Sequence, residues 1–139
     1  CCMTWQGVAC GANGIVSYAY SSIRWGAKGE TFEKYWNDTC AMADEVKKME
    51  DVLLADGLPV DTKGLPDFVV ARAWRHAGMD WYLVVNATRD PQTARIPLGG
   101  RFASLTTVLG TGVRLSADGR ALECAFGPIE YAFVGVKNN

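Results

Sequence analysis

The chain has 139 residues and a mass of 15.1 kDa, room for one ordinary domain or for a small domain with a fragment of a second, but too little for a complete (β/α)8 barrel. Hydrophobic residues make up 49% and charged residues 21%, a globular composition rather than a fibrous or disordered one. Fourteen Lys plus Arg against fifteen Asp plus Glu leave a formal charge of −1, so no general electrostatic grip on nucleic acid or anionic lipid is expected. No apolar run approaches the roughly 20 residues of a membrane span, and no membrane partner is expected.

The chain opens Cys1-Cys2-Met3, with no initiator Met ahead of it, which reads as a piece excised from something longer. Cysteines stand at positions 1, 2, 10, 40 and 124. No two form a C-x-x-C pair, and the single histidine, His76, is far in sequence from most of them. No metal or other cofactor is therefore expected, and Cys10, Cys40 and Cys124 read as small buried hydrophobes. A helix is predicted from Met3 to Cys10, stopped by Gly11 and Gly14. Ile15-Val16-Ser17-Tyr18-Ala19-Tyr20 follows, apolar apart from Ser17, the pattern of a strand covered on both faces in a parallel sheet. Phe32, Tyr35, Trp36, Thr39, Ala43, Val46, Met49 and Leu53 recur at intervals of three and four, one face of a helix from about Thr31 to Ala55. Thr31 suits its N-cap, Glu33 its positive end and Gly57 its stop.

Composition changes after this helix. Residues 57–66 carry two prolines and two glycines and read as a linker. Ahead of Asp67 stand five Lys, one Arg and nine acids; from Asp67 onward, seven Arg, one Lys and six acids. The period also changes from 3.6 to two. Phe68 to Trp74, Trp81 to Asn86, Ala94 to Leu98, Ala103 to Leu109, Ala121 to Phe126 and Ile129 to Val136 are short β-branched and aromatic segments separated by turn chemistry, with Asp118-Gly119 the strongest hairpin signal. The fold class expected is α+β: an antiparallel β-sandwich over residues 67–139, preceded over residues 1–56 by a fragmentary β/α unit with one long amphipathic helix.

A single parallel strand leaves its backbone donors and acceptors open on both sides. The partners of Ile15 to Tyr20 therefore lie upstream in a longer parent, in the antiparallel sheet, or in a second copy of the chain, which would make a homo-oligomer. The stretch from Met3 to Tyr20, with its Gly11-Ala12-Asn13-Gly14 turn, resembles the helix-to-last-strand passage of retaining (β/α)8 glycoside hydrolases, including β-galactosidase-like members. The closing helix and the sandwich with Tyr82-Leu83-Val84-Val85-Asn86 near its start are similar to the way such chains finish. Gly127-Pro128-Ile129-Glu130-Tyr131-Ala132-Phe133 resembles the last strand of their accessory domains.

The resemblance implies a parent that acts on carbohydrate and a structural, accessory task for this portion. It implies no catalytic residue here. Retaining hydrolysis needs two carboxyl groups about 5 to 5.5 Å apart, and in the family these come from barrel strands that this chain would not contain. Glu30, Glu33, Glu45 and Glu50 read as a solvated helix face, and Glu123 and Glu130 as outward strand positions. If Ile15 to Tyr20 is a last barrel strand, its end faces the cleft, so Tyr20 and Trp25 become the candidate substrate-binding residues; packing of Tyr20 and edge cover by Trp25 are the alternative. Trp74, Trp81 and Tyr82 form either a sugar platform or, as is commoner, sandwich core. The arginines read as a mixed solvated surface. Asn37-Asp38-Thr39 and Asn86-Ala87-Thr88 match the glycosylation acceptor triplet. The sequence leaves the compartment open, with a secreted or periplasmic parent as the expectation.

Overall fold

The computed structural model describes residues 2–15 and 32–138. Helices α1 (Cys2–Ala9), α2 (Phe32–Lys48) and α3 (Glu50–Leu53) precede eight strands: β1 (Asp56–Leu58), β2 (Val69–His76), β3 (Met79–Asn86), β4 (Gln92–Pro97), β5 (Ser104–Gly110), β6 (Val113–Leu115), β7 (Ala121–Phe126) and β8 (Tyr131–Lys137). Among the described residues every strand pairing is antiparallel. A five-stranded sheet runs β1-β2-β3-β8-β5 and a three-stranded sheet runs β4-β7-β6. The α+β class with an antiparallel sandwich is the one expected from the sequence.

Strand alternation builds two cores around the larger sheet. Val69, Ala73, Tyr82, Val84, Ala132, Val134 and Val136 point toward the smaller sheet and meet Ile96, Leu98, Leu122, Cys124 and Phe126. The intervening residues Trp74, Leu83, Val85 and Phe133 point the other way and meet Trp5, Val8, Met49 and Val52 from the helices. The result is three layers, helices on sheet on sheet. Burial of both faces explains why Leu83-Val84-Val85 and Ala132-Phe133-Val134 are continuous apolar runs rather than alternating ones, although the sheet is antiparallel.

Turn chemistry sets the hairpins. Ala77 and Gly78 join β2 to β3 with φ values of 50° and 74°, the positive pair that a two-residue hairpin requires. Asp118-Gly119 lies between β6 and β7, where Ser116 Oγ donates to the Asp118 carboxylate at 2.6 Å and accepts from the Ala121 N–H at 2.9 Å.

Several expectations are corrected by the structure. Residues 57 and 58, read as the start of a linker, belong to β1, which pairs with β2 through Asp56↔Arg75, Gly57↔Trp74 and Leu58↔Ala73. The long helix is interrupted at Met49, which is buried at 2% exposure against the sheet. Its apolar stripe is real, but α2 contains no buried residue. Of the cysteines read as buried, Cys124 is buried, whereas Cys10 and Cys40 are exposed. Of the strand read over Ile15 to Tyr20, Ile15 lies outside any strand and the other positions fall outside the described residues, as does Thr31.

Candidate functional site

The candidate site is the junction between the helices and the larger sheet, and it begins with one indole. Trp5 of α1 is fully buried. Its ring meets Phe133 of β8 edge-on, with centroids 5.8 Å apart and planes at 71°, and lies 6.0 Å from the Tyr131 ring. Phe133 is also stacked with Trp74 of β2, 5.6 Å away at 16°. Aromatic pairs in these arrangements each add about 0.5–1.5 kcal/mol to the burial of their area.

A buried indole N–H needs an acceptor. Trp5 Nε1 donates to Glu45 Oε2 at 3.1 Å, and the Tyr131 hydroxyl donates to the same oxygen at 2.8 Å. One carboxylate of α2 thereby ties α1 and β8 together. Glu45 is not part of a freely solvated face, as the sequence suggested; it is the polar peg of this junction. Burial is the first cause pushing the Tyr131 hydroxyl up to about 12, and its bond to Glu45 is the second.

Arg72 holds the other end of α1. Residues 70, 72 and 74 of β2 share the helix-facing side, so Arg72 reaches the C-terminus of α1, donating to Val8 O at 3.1 Å, a carbonyl that also accepts from the Gly11 N–H at 3.0 Å. Its guanidinium also lies 5.0 Å from the Trp74 ring centroid, a cation–π contact. Cys2 Sγ donates to Asn86 O at 3.7 Å. Arg72, read from sequence as one of a solvated set, is thus a clamp. Its sequence signal is slight: an arginine inside an otherwise apolar strand. That of Glu45 is absent, because Tyr131 is 86 residues away.

The remaining residues singled out in the sequence sort plainly. Tyr20 and Trp25 lie outside the described residues. Trp74 and Tyr82 are buried core residues at 1% and 4% exposure, on opposite faces of the sheet, and Trp81 is half-buried. Glu123 accepts from Arg95 at 3.2 Å and from Arg114 at 2.8 Å across the outer face of the smaller sheet. Glu130 accepts from the Gly127 N–H at 2.7 Å. Asn86 is fully buried, and its Nδ2 donates to Asp90 O and Gly127 O while Oδ1 accepts from the Thr88 N–H and hydroxyl. Both amide hydrogens are occupied, so this acceptor triplet is closed to glycosylation in the folded chain; Asn37 lies exposed on α2. Among the described residues no group of three or more His, Cys, Asp or Glu could hold a metal ion. Chemically, the junction is built to hold elements together; its one carboxylate is occupied by two neutral donors.

No protein-family model matches the sequence, and no curated protein matches it. Among solved structures, the chain is similar to an alpha-amylase from H. orenii, with a TM-score of 0.40 and 13% identity over 57% of this chain. The match spans 16% of the length of that protein.

Proposed function

We propose that the chain is the accessory, C-terminal portion of a glycoside hydrolase, in which the sandwich braces the closing helix of a catalytic barrel and breaks no glycosidic bond itself. The observation that carries this reading is α2. It runs 17 residues with an apolar stripe yet has no buried residue, while Glu45, Val46 and the following Met49 fasten its C-terminal end to the sandwich. A stripe of this kind stabilises a fold only when a second body covers it. The resemblance of residues 3–20 to a terminal barrel passage supports a barrel as that body.

The test is an Ala43→Glu substitution on the exposed stripe, made in the chain alone and in the gene product read from the frame upstream of Cys1. In the chain alone it should leave thermal unfolding unchanged; in the longer product it should lower soluble yield and glycosidase activity together. An upstream frame that stops at once, or hydrolysis of aryl glycosides by the chain alone, would overturn the proposal. The same stripe could be covered by a second copy of the chain. Light scattering decides between the two, because a concentration-dependent dimer abolished by Ala43→Glu places the partner in trans.

A further inference from the structure

At the end of the larger sheet remote from the Ala77-Gly78 hairpin, the chain makes a turn over Pro66, Asp67, Phe68 and Val69, closed by the Val69 N–H on Pro66 O at 3.1 Å. Phe68 occupies its third position with φ of 63°, where a positive φ ordinarily calls for Gly or Asn. The left-handed backbone costs a residue with a Cβ about 1–2 kcal/mol, and burial does not offset that cost, because Phe68 is 69% exposed. Sequence and geometry therefore combine to present one large flat ring to water from a backbone turn. Phe68 O in turn accepts from the Ala87 N–H at 3.1 Å. That bond fixes the turn against the loop which Asn86 organises through its four hydrogen bonds.

The ring borders a shallow depression of about 550 Å³ whose polar lining is Asp67, Thr88, Asp90 and Gln92. Thr88 is spent on Asn86 and on Asp90 O. Neither carboxylate is engaged in an ion pair or side-chain hydrogen bond, nor is the Gln92 amide, among the described residues. An apolar ring face beside free carboxylates and an amide is the complement of a pyranose, which offers an apolar C–H face for stacking and a rim of hydroxyl donors and acceptors. Two carboxylates exclude an anionic ligand, and a single exposed ring offers too little apolar area for a lipid tail or a packed protein interface.

We infer that Phe68, Asp67, Asp90 and Gln92 form a surface subsite for a neutral oligosaccharide, with the Phe68 ring as stacking platform. The subsite is independent of the helix junction and goes beyond the bracing role; either can fail without the other. Affinity electrophoresis of the full chain in gels carrying soluble starch, xylan, laminarin or hydroxyethyl cellulose tests it. At least one polysaccharide should retard the chain. Phe68→Gly should weaken that retardation about tenfold or more with a melting temperature unchanged or raised, and Phe68→Trp should retain it. Binding followed by amide chemical shifts in the wild type, with a hexasaccharide of the retarding polymer, should move residues 66–69 and 87–92. Retardation by none of the four polymers, equal retardation of the Phe68→Gly variant, or shifts confined elsewhere would overturn the inference, whatever the fate of the bracing role.

Discussion

Replacing Glu45 by Ala would leave the Trp5 indole N–H and the Tyr131 hydroxyl facing a partly buried junction without their acceptor. An unsatisfied buried donor costs about 1–3 kcal/mol, so urea unfolding of Glu45→Ala should lose stability in that range, with Glu45→Gln losing less because its amide oxygen still accepts. Equal stability of all three proteins would show that the bonds are dispensable. Backbone conformation gives two further residue-level expectations of opposite sign. Ala77 sits at φ 50° in a turn that favours Asn-Gly, so Ala77→Asn should stabilise by about 0.5–1 kcal/mol. Gly110 has φ of 72°, and a Cβ there would strike the Tyr131 carbonyl of the neighbouring β8. Gly110→Ala should therefore destabilise by about 2 kcal/mol or more, since both the φ and the space are wrong. Melting temperatures of the two variants on either side of the wild type check both.

At the scale of elements, local stability follows how many sides of an element are covered. Strands β3 and β8 are flanked in the sheet and covered on both faces, whereas α2 touches the rest of the described chain mainly near its C-terminal turn. In the chain alone, amides of residues 37–42 should exchange with solvent by local opening, orders of magnitude faster than those of Leu83, Val84, Phe133 and Val134, which open only on global unfolding. Uniform protection across α2 and the strands would show that the helix is covered in solution. The sequence revealed elements better than their partners. Ala121 to Phe126 is a strand with the bounds read from its pattern, and the 3.6-residue stripe correctly marked a helix. Strands β1 and β6 were not legible, because three residues such as Asp56-Gly57-Leu58 or Val113-Arg114-Leu115 are too short to carry a period. Nor does periodicity tell whether an apolar stripe is covered within the chain or which polar residue beside it is engaged, which is why Glu45 read as solvated. Phe68, exposed in a left-handed turn, was counted simply as the first apolar residue of a strand.

For the whole molecule, the layered core confers an alkaline sensitivity. Burial pushes the Cys124 thiol, between the two sheets, up to about 12, and burial aided by the Asp80 charge does the same to the Tyr82 hydroxyl in the same core. Tyr131 in the helical layer is raised to a similar value. In each case the fold favours the neutral form. An unfolded chain would release these protons near pH 9 for the thiol and near pH 10 for the phenols. The contribution to stability is therefore complete below about pH 9 and is lost as pH rises through that range toward 12, because the unfolded state then binds fewer protons than the native one. Urea midpoints measured from pH 8 to pH 11.5 should fall progressively, while Cys124→Ala, although less stable at pH 8 for want of the buried sulfur, should decline with a shallower slope above pH 9. Parallel slopes for the two proteins would mean that the inter-sheet core admits water to the thiol, and that the smaller sheet closes over the larger one less tightly than its packed side chains indicate.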